Sequence, residues 1–246
     1  MSTSGANRGT PVALKEIDVC TLEEDDEALE MLEAEVLALR RAAGTEHVVR
    51  LHEVVAAADA VFLAMERVPG RELFELVEER GALDAPLVRG LIRQLLTALA
   101  ALATLGVVHR DVKPENLMIT EAEAGAAPRI TLIDFGYAAI LGSGAEPAAA
   151  PNGAAASPAA ANGGEGGAAA GNGGAAHGLL SGVAGSPEYA APEVLSWLEV
   201  EADESGTVEG EWYDAGCDVW SVGVTAHVLL SAELPFDLPE GVRGLR

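Results

Sequence analysis

Lysine is almost missing from this chain: of fifteen basic residues thirteen are arginine, and the two lysines are Lys15 and Lys113. Positive charge as a whole is scarce. A net charge of −24 excludes a general nucleic-acid binder, because neutralising phosphates needs a basic surface. The acid excess favours basic partners, and much of it reads as solvated faces and loops that keep the chain soluble. Cys20 and Cys217 are too few and too distant in sequence for a disulfide framework or a zinc site, which points to a reducing compartment. The opening residues, Met1 to Thr10, are polar and glycine-containing and lack the apolar run of a secretory signal. No segment reads as a membrane span. Leu87 to Val108 is the most apolar long stretch, but Arg89, Arg93 and Gln94 interrupt it and mark a buried amphipathic helix. The expectation is a soluble protein of the cytoplasm or nucleus with neither membrane nor nucleic acid as a partner.

With 246 residues the chain is long enough to bury a sizeable core. Much of the apolar share is alanine, however, so the core is confined to a few segments. Val12 to Asp18 reads as a strand carrying Lys15. A helix follows from about Asp25 to Arg41, with Leu29, Leu32, Val36 and Leu39 as its apolar stripe and acids at its start, where the helix dipole favours them. Val48 to Val55 and Val61 to Glu66 read as paired strands joined by an alanine-rich turn ending in Asp59. Glu72 to Arg80 is a short helix. Asp84 as N-cap and Pro86 in the first turn open a long helix to Gly106, its buried stripe being Leu87, Leu91, Leu95, Leu99 and Leu102. Leu117 to Thr120 and Ile130 to Ile133 are short strands. Residues 141–178 are almost wholly Ala, Gly, Pro, Asn and Ser and are expected to be disordered, since they cannot bury enough surface to offset their ordering entropy. Residues 199–211 read as an acidic loop insert. Cys217 to Leu230 is apolar on every face, which predicts a helix buried in the core.

Four motifs run through these segments in a fixed order. His109-Arg110-Asp111 is followed five residues later by Asn116; then come Asp134-Phe135-Gly136, Ala191-Pro192-Glu193, and Asp218-Val219-Trp220-Ser221-Val222-Gly223. This series resembles the catalytic loop, metal-binding turn and later landmarks of eukaryotic protein kinases. Its spacing suits phosphoryl transfer, with one aspartate to orient a hydroxyl and an asparagine and a second aspartate as metal ligands. The two lysines fall where the kinase pattern asks for lysine. A compact ammonium acts on phosphate oxygens as a point charge, which a planar guanidinium does not reproduce.

The resemblance implies an α+β, two-lobed kinase fold and use of ATP and Mg²⁺. It makes Lys15 the nucleotide anchor and Glu35 its partner; by spacing alone Glu30 and Glu33 compete, and the likeness of Glu35-Val36 through Leu39 to the family pattern selects Glu35. Ala13, Met65, Glu66, Val68 and Met118 would line the ATP pocket, Met65 at its back, with backbone groups of Glu66 and Val68 reading the adenine. Asn116 and Asp134 would hold Mg²⁺, Asp111 would accept the substrate hydroxyl's proton, and Lys113 would neutralise the transferring phosphate. Lys113-Pro114-Glu115 after Asp111, with Ser186 ahead of Ala-Pro-Glu, resembles serine/threonine kinases. Val222-Gly223 and Leu229 through Asp237 look most like the calmodulin-dependent group. By that likeness Glu72 and Glu115 would read arginine in a basic protein substrate. Arg110 beside Asp111 implies phosphorylation of the activation segment, with Ser181 as candidate and Gly182 nearer the usual register.

Two departures stand beside the matches. The first two strands and the glycine-rich loop of the small lobe are missing upstream of Lys15, and the last helices of the large lobe are missing after Arg246, so the chain reads as truncated at both ends. The expected organisation is a flexible lead over 1–11, a partial small lobe over 12–66 and a partial large lobe over 67–246, interrupted by the two inserts. A serine/threonine kinase is the leading reading, with a non-catalytic kinase-like module that binds nucleotide or protein as the alternative. Retention of Lys15, Asp111 and Asp134 together favours the enzyme. The regulatory partner is not identified by any motif.

Overall fold

The computed structural model describes residue 9 and residues 11–121, 127–141, 179–202, 210 and 212–237. Nearly all of the polar lead, residues 142–178 of the low-complexity insert, and residues 203–209 and 211 of the acidic insert lie outside these residues. Where the inserts are described the expectation is corrected, since Leu141 is buried in an apolar cluster and residues 199–202 continue a helix and are not a loop. Strand β1 (Val12–Asp18) is the edge of a three-stranded antiparallel sheet whose order is β1-β3-β2, with β2 at Leu51–Ala56 and β3 at Ala60–Glu66. Its period of two turns Lys15 and Ile17 inward and leaves Leu14 and Glu16 exposed. A short helix the sequence did not announce, α1 (Val19–Glu24), follows at once, because the Asp18 carboxylate accepts from the Cys20 amide at 2.8 Å and caps it.

Helix α2 (Asp26–Arg41) carries acids in its first turn and arginines in its last, matching the macrodipole, and Asp25 caps it by accepting from the Glu27 and Ala28 amides. Glu35, Ala38 and Leu39 are buried, while Leu29 is 41% exposed. The apolar stripe is therefore shorter than expected at its N-terminal end, where α2 lies beside α1.

The chain continues through β4 (Arg71–Glu72), α3 (Leu73–Arg80), α4 (Ala85–Thr104), β5 (Val107–Val108), a 3₁₀ turn at Pro114–Asn116, β6 (Leu117–Thr120), β7 (Arg129–Leu132) and β8 (Ala139–Ile140). Two helices close it, α5 (Pro192–Ala202) and α6 (Gly216–Ser231). Strands β4, β6 and β7 form a second antiparallel sheet, and β5 pairs with β8. Asp84 occupies the N-cap position of α4, although its side chain makes no cap hydrogen bond, and Pro86 sits in the first turn as expected. Helix α4 is long and apolar enough to cross a membrane by length and composition. It is nonetheless a core helix, burying Val88, Leu91, Leu95, Ala98, Leu99 and Leu102 against β7 and α6. Its one internal amide is also spoken for. Gln94 donates to the Pro128 carbonyl at 2.9 Å and accepts from the Ile130 amide at 3.0 Å, tying β7 to the helix.

Strand β2 begins at Leu51, three residues later than the sequence suggested, because the preceding residues pair elsewhere. The Val49 amide donates to the Leu132 carbonyl at 3.0 Å, and the Leu132 amide to the His47 carbonyl at 2.8 Å. This stitch, made with His47 at a positive φ of 63°, fastens the segment between α2 and the first sheet onto β7. Helix α6 corrects a second expectation. One side is buried through Cys217, Ser221, Val222, Thr225 and Leu229, but Val219, Trp220 and Leu230 are 57%, 40% and 46% exposed. Among the described residues α6 packs on one side only, and Trp220 finds its neighbour in Phe236, stacked at 5.7 Å.

Candidate active site

The sequence between β5 and β6 is short and polar, so its backbone must be satisfied by side chains brought from elsewhere. Asp218, in the first turn of α6, supplies the main anchor. Its two carboxylate oxygens accept from the His109 and Arg110 amides, each at 2.8 Å. Burial pushes the Asp218 carboxyl up, but an N–H donor on each oxygen is the arrangement of a carboxylate, and that form fits the geometry. His109 is fully buried. Its Nδ1 accepts from the Asp111 amide at 3.3 Å, leaving Nε2 to donate to the Ile133 carbonyl at 3.1 Å, and its ring meets Phe135 edge-on at 4.8 Å. The loop ahead of Asp111 is thus clamped to both α6 and the Asp134 turn.

Asp111 stands at the centre of a compact polar array. The Lys113 ammonium lies 2.9 Å from its Oδ2 and donates to Ser186 Oγ at 2.6 Å; the Ser186 amide donates to Oδ1 at 2.8 Å. Asn116 donates from Nδ2 to both the Asp111 carbonyl and Oδ2 at 2.8 Å, which leaves its own amide oxygen free to accept. Gly185 makes this approach possible. Its φ is +80°, and a Cβ there would lie 2.1 Å from the Arg110 carbonyl oxygen.

Lys15, Glu35 and Asp134 form a second array. The Lys15 ammonium is 2.8 and 2.9 Å from the two oxygens of Glu35 and 3.2 Å from Asp134 Oδ1, which also accepts from the Gly136 amide. Burial alone would lower the Lys15 ammonium, but Glu35 and Asp134 outweigh it and hold the group above its ordinary value. Burial pushes the Glu35 carboxyl up against the pull of Lys15, yet the bidentate contact is that of an ion pair. For Asp134, burial is likewise opposed by Lys15 and the Gly136 N–H, and the carboxyl is held low. Of the three spacing candidates on α2, Glu35 is the one that meets Lys15.

All six residues expected at the nucleotide, Ala13, Lys15, Met65, Glu66, Val68 and Met118, line one cavity of about 220 Å³. Its surface is mostly apolar, and the Lys15–Glu35 pair and Asp134 are part of the lining, a composition that suits a planar apolar ring carrying charged groups. Among the described residues no backbone hydrogen bond is made at Val68, where the resemblance expects backbone groups to read a base. Val49 and Ile133 also line this cavity. Val49 ends His47-Val48-Val49 and Ile133 immediately precedes Asp134-Phe135-Gly136, so each borders a motif without having been singled out as a site residue. The cavity shares Ile133 and Asp134 with a larger one of about 1120 Å³, which Glu72, Lys113, Glu115, Asn116 and Ser186 line. Ser181 is exposed and apart from it. The donor set suits Mg²⁺, because Asn116 offers an amide oxygen and Asp134 a carboxylate held low, hard oxygen ligands that line the same larger cavity.

Comparison with known proteins accords with this geometry. The model of the protein kinase domain matches residues 2–243. A Dictyostelium discoideum protein named as a probable myosin light chain kinase is 29% identical over 228 residues, covering 93% of this chain and 56% of its own length. CBL-interacting protein kinases 22 and 15 of Oryza sativa subsp. japonica are 34% and 31% identical over 208 and 210 residues, covering 84% and 85% of this chain and 37% of each relative. The chain thus spans between about a third and just over half the length of these relatives. With a family model matching nearly its whole length, the chain belongs to the protein kinase domain family.

Proposed function

We propose that the chain is the catalytic part of a protein serine/threonine kinase that transfers the γ-phosphate of ATP to hydroxyl groups of basic protein substrates. The observation that carries this reading is the intact charge set: Lys15 is paired with Glu35 in the smaller cavity, Asp111 is paired with Lys113 and bonded by Asn116, and Asp134 lines both the smaller cavity and the larger one that Lys113 and Asn116 line. Kinase chemistry is mainly positioning and electrostatic stabilisation, so such a set is the machinery itself. In this reading Asp111 accepts the hydroxyl proton as the substrate oxygen bonds to the γ-phosphorus and the bond to the β–γ bridging oxygen breaks. Lys113 holds Asp111 in place and offsets charge on the moving phosphoryl group. Lys15, fixed by Glu35, holds the α and β phosphates. Asn116 and Asp134 would hold Mg²⁺, which supplies charge neutralisation on the phosphate oxygens when bound.

The substrate side supports a basic peptide. Glu72, Glu78, Glu115, Glu188 and Glu233 all line the larger cavity. Among the described residues Glu115 Oε2 is buried without a hydrogen-bond partner, and burial pushes its carboxyl up. A substrate guanidinium would supply the missing partner.

The test is Mg·ATP phosphotransfer by the full chain to a set of Arg-containing Ser/Thr peptides, with Asp134→Asn beside it. Transfer to serine or threonine that vanishes in Asp134→Asn is the expected result. Nucleotide binding without transfer to any peptide would refute the catalytic reading in favour of a binding module.

A further inference from the structure

Arg110 connects two parts of the molecule that the charge set above does not use. Its backbone is fixed by Asp218, and its φ of 64° turns the side chain away from Asp111. The guanidinium then makes two described contacts: Nε donates to the Tyr137 carbonyl at 2.6 Å and Nη1 to the Tyr213 hydroxyl at 3.2 Å. Among the described residues no carboxylate lies within ion-pair distance of it.

Tyr213 in turn clamps the activation segment. Its amide and carbonyl form an antiparallel bridge with Leu180, at 3.0 and 2.7 Å. Its hydroxyl donates to the Gly182 carbonyl at 2.9 Å, with the Ser181 carbonyl at 3.4 Å. The ring is buried, and burial keeps the phenol protonated, so the hydroxyl both accepts from Arg110 and donates to the segment. Where activation loops are switched by phosphorylation, the loop is ordered by new pairing between arginine and the phosphate. The nearer carbonyl at this junction is that of Gly182, at a φ of +79°, which has no side chain to phosphorylate, while the exposed Ser181 before it meets the hydroxyl through its carbonyl.

We propose that the Tyr213 hydroxyl takes the place of an activation-segment phosphate, joining Arg110 to Ser181 and Gly182 so that the segment and catalytic loop are set without phosphorylation. Tyr213 is a positioning residue, because it acts through Arg110 and the segment that delivers Ser186 to Asp111. The inference rests on the kinase reading for its catalytic consequence but not for its structural one.

The test uses the full chain after phosphatase treatment, with intact mass measured before and after assay, beside Tyr213→Phe, which removes only the hydroxyl. Wild type should keep its phosphotransfer rate when dephosphorylated. Tyr213→Phe should lose about tenfold or more in kcat, the scale of a hydrogen bond to a charged group, with KM for ATP within about twofold and melting lowered by no more than about 3–6 °C. A merely structural residue would instead move the melting temperature and KM together. Loss of activity on dephosphorylation, or a fully active Tyr213→Phe, overturns the proposal. If wild type transfers no phosphate in either state, the kinase reading fails separately and hydrogen exchange at residues 179–185 decides. Slow exchange in unphosphorylated wild type and faster exchange in Tyr213→Phe sustains the clamp; equal rates overturn it.

Discussion

Replacing Asp218 by Asn tests the claim that α6 holds the catalytic loop. The carboxylate is wholly buried and accepts two backbone N–H groups at 2.8 Å, one on each oxygen. Asparagine matches the shape but keeps one acceptor oxygen, and it turns an NH₂ donor toward the second N–H. A hydrogen bond to a charged group contributes about 1.5–3 kcal/mol, and a buried N–H left unpaired costs about 1–3 kcal/mol more. Because the loop can shift to relieve part of the donor–donor contact, the lower half of each range applies, and the expected loss is about 3 kcal/mol. For a chain of this size each kcal/mol moves the melting temperature by roughly 2–4 °C, so Asp218→Asn should melt about 6–12 °C lower.

Thermal melting followed by near-UV circular dichroism measures this directly, and hydrogen exchange at the His109 and Arg110 amides locates it. Asp214→Asn is the internal comparison. Asp214 is exposed and accepts from the Gly216 amide at 2.7 Å, a bond that the amide oxygen of Asn can also accept, so its melting temperature should stay within about 1 °C of wild type. If Asp218→Asn also melts within about 2 °C of wild type, with unchanged exchange at 109 and 110, the loop is held by something other than Asp218.

Three further outcomes follow from the same contacts. Ala232 ends α6 with φ 59° and ψ 24°, a left-handed conformation that costs a residue with a Cβ about 1–2 kcal/mol; after the added chain entropy of glycine, Ala232→Gly should stabilise by about 0.5–1 kcal/mol, read as a higher urea midpoint at unchanged slope, and a lower midpoint would contradict it. The Lys15 ammonium is held above its ordinary 10.5, so its stabilisation is full below that value and is lost as pH rises through the raised one. The gap in urea midpoint between wild type and Lys15→Met should therefore be flat from about pH 7 to 9 and close only above the ordinary lysine value; a gap that closes below about pH 9 would show that the pair is not held as described. In Gly185→Ala the new methyl would meet the Arg110 carbonyl at 2.1 Å, backbone against side chain with little room to yield. Phosphotransfer should fall about a hundredfold or more while nucleotide affinity, measured by calorimetry, stays within about threefold; retained activity would mean that Ser186 does not need its seat beside Asp111.

How much of this was legible in the sequence depended on how far apart the partners lie. The stripe of α4 is a local period, and Leu91, Leu95, Leu99 and Leu102 are buried as it predicts. Asp111 and Asn116 are five residues apart, and one turn brings them together. Lys15 and Glu35 are 20 residues apart, far enough that three glutamates competed by spacing and near enough for one to be selected. Beyond that range, residue type without a partner carries little. Asp218 reads as an acid in a helix's first turn, favourable to the dipole, and nothing local says that its oxygens meet amides 108 and 109 positions earlier. Tyr213 reads as one more aromatic in a polar stretch, and its hydroxyl's partners lie 31 and 103 residues away. The outward face of α6 and the late start of β2 were misread for the same reason, since both depend on what distant segments do or do not cover. The legible residues are thus those to which the proposed function gives a chemical role, where charge type would be fixed by the reaction. The illegible ones hold them in place, where many side chains could have served. Substitutions at Asp218 and Tyr213 therefore probe the fold's contribution to the site independently of its chemistry, and their effects should appear as loop and segment mobility with Lys15, Asp111 and Asp134 untouched.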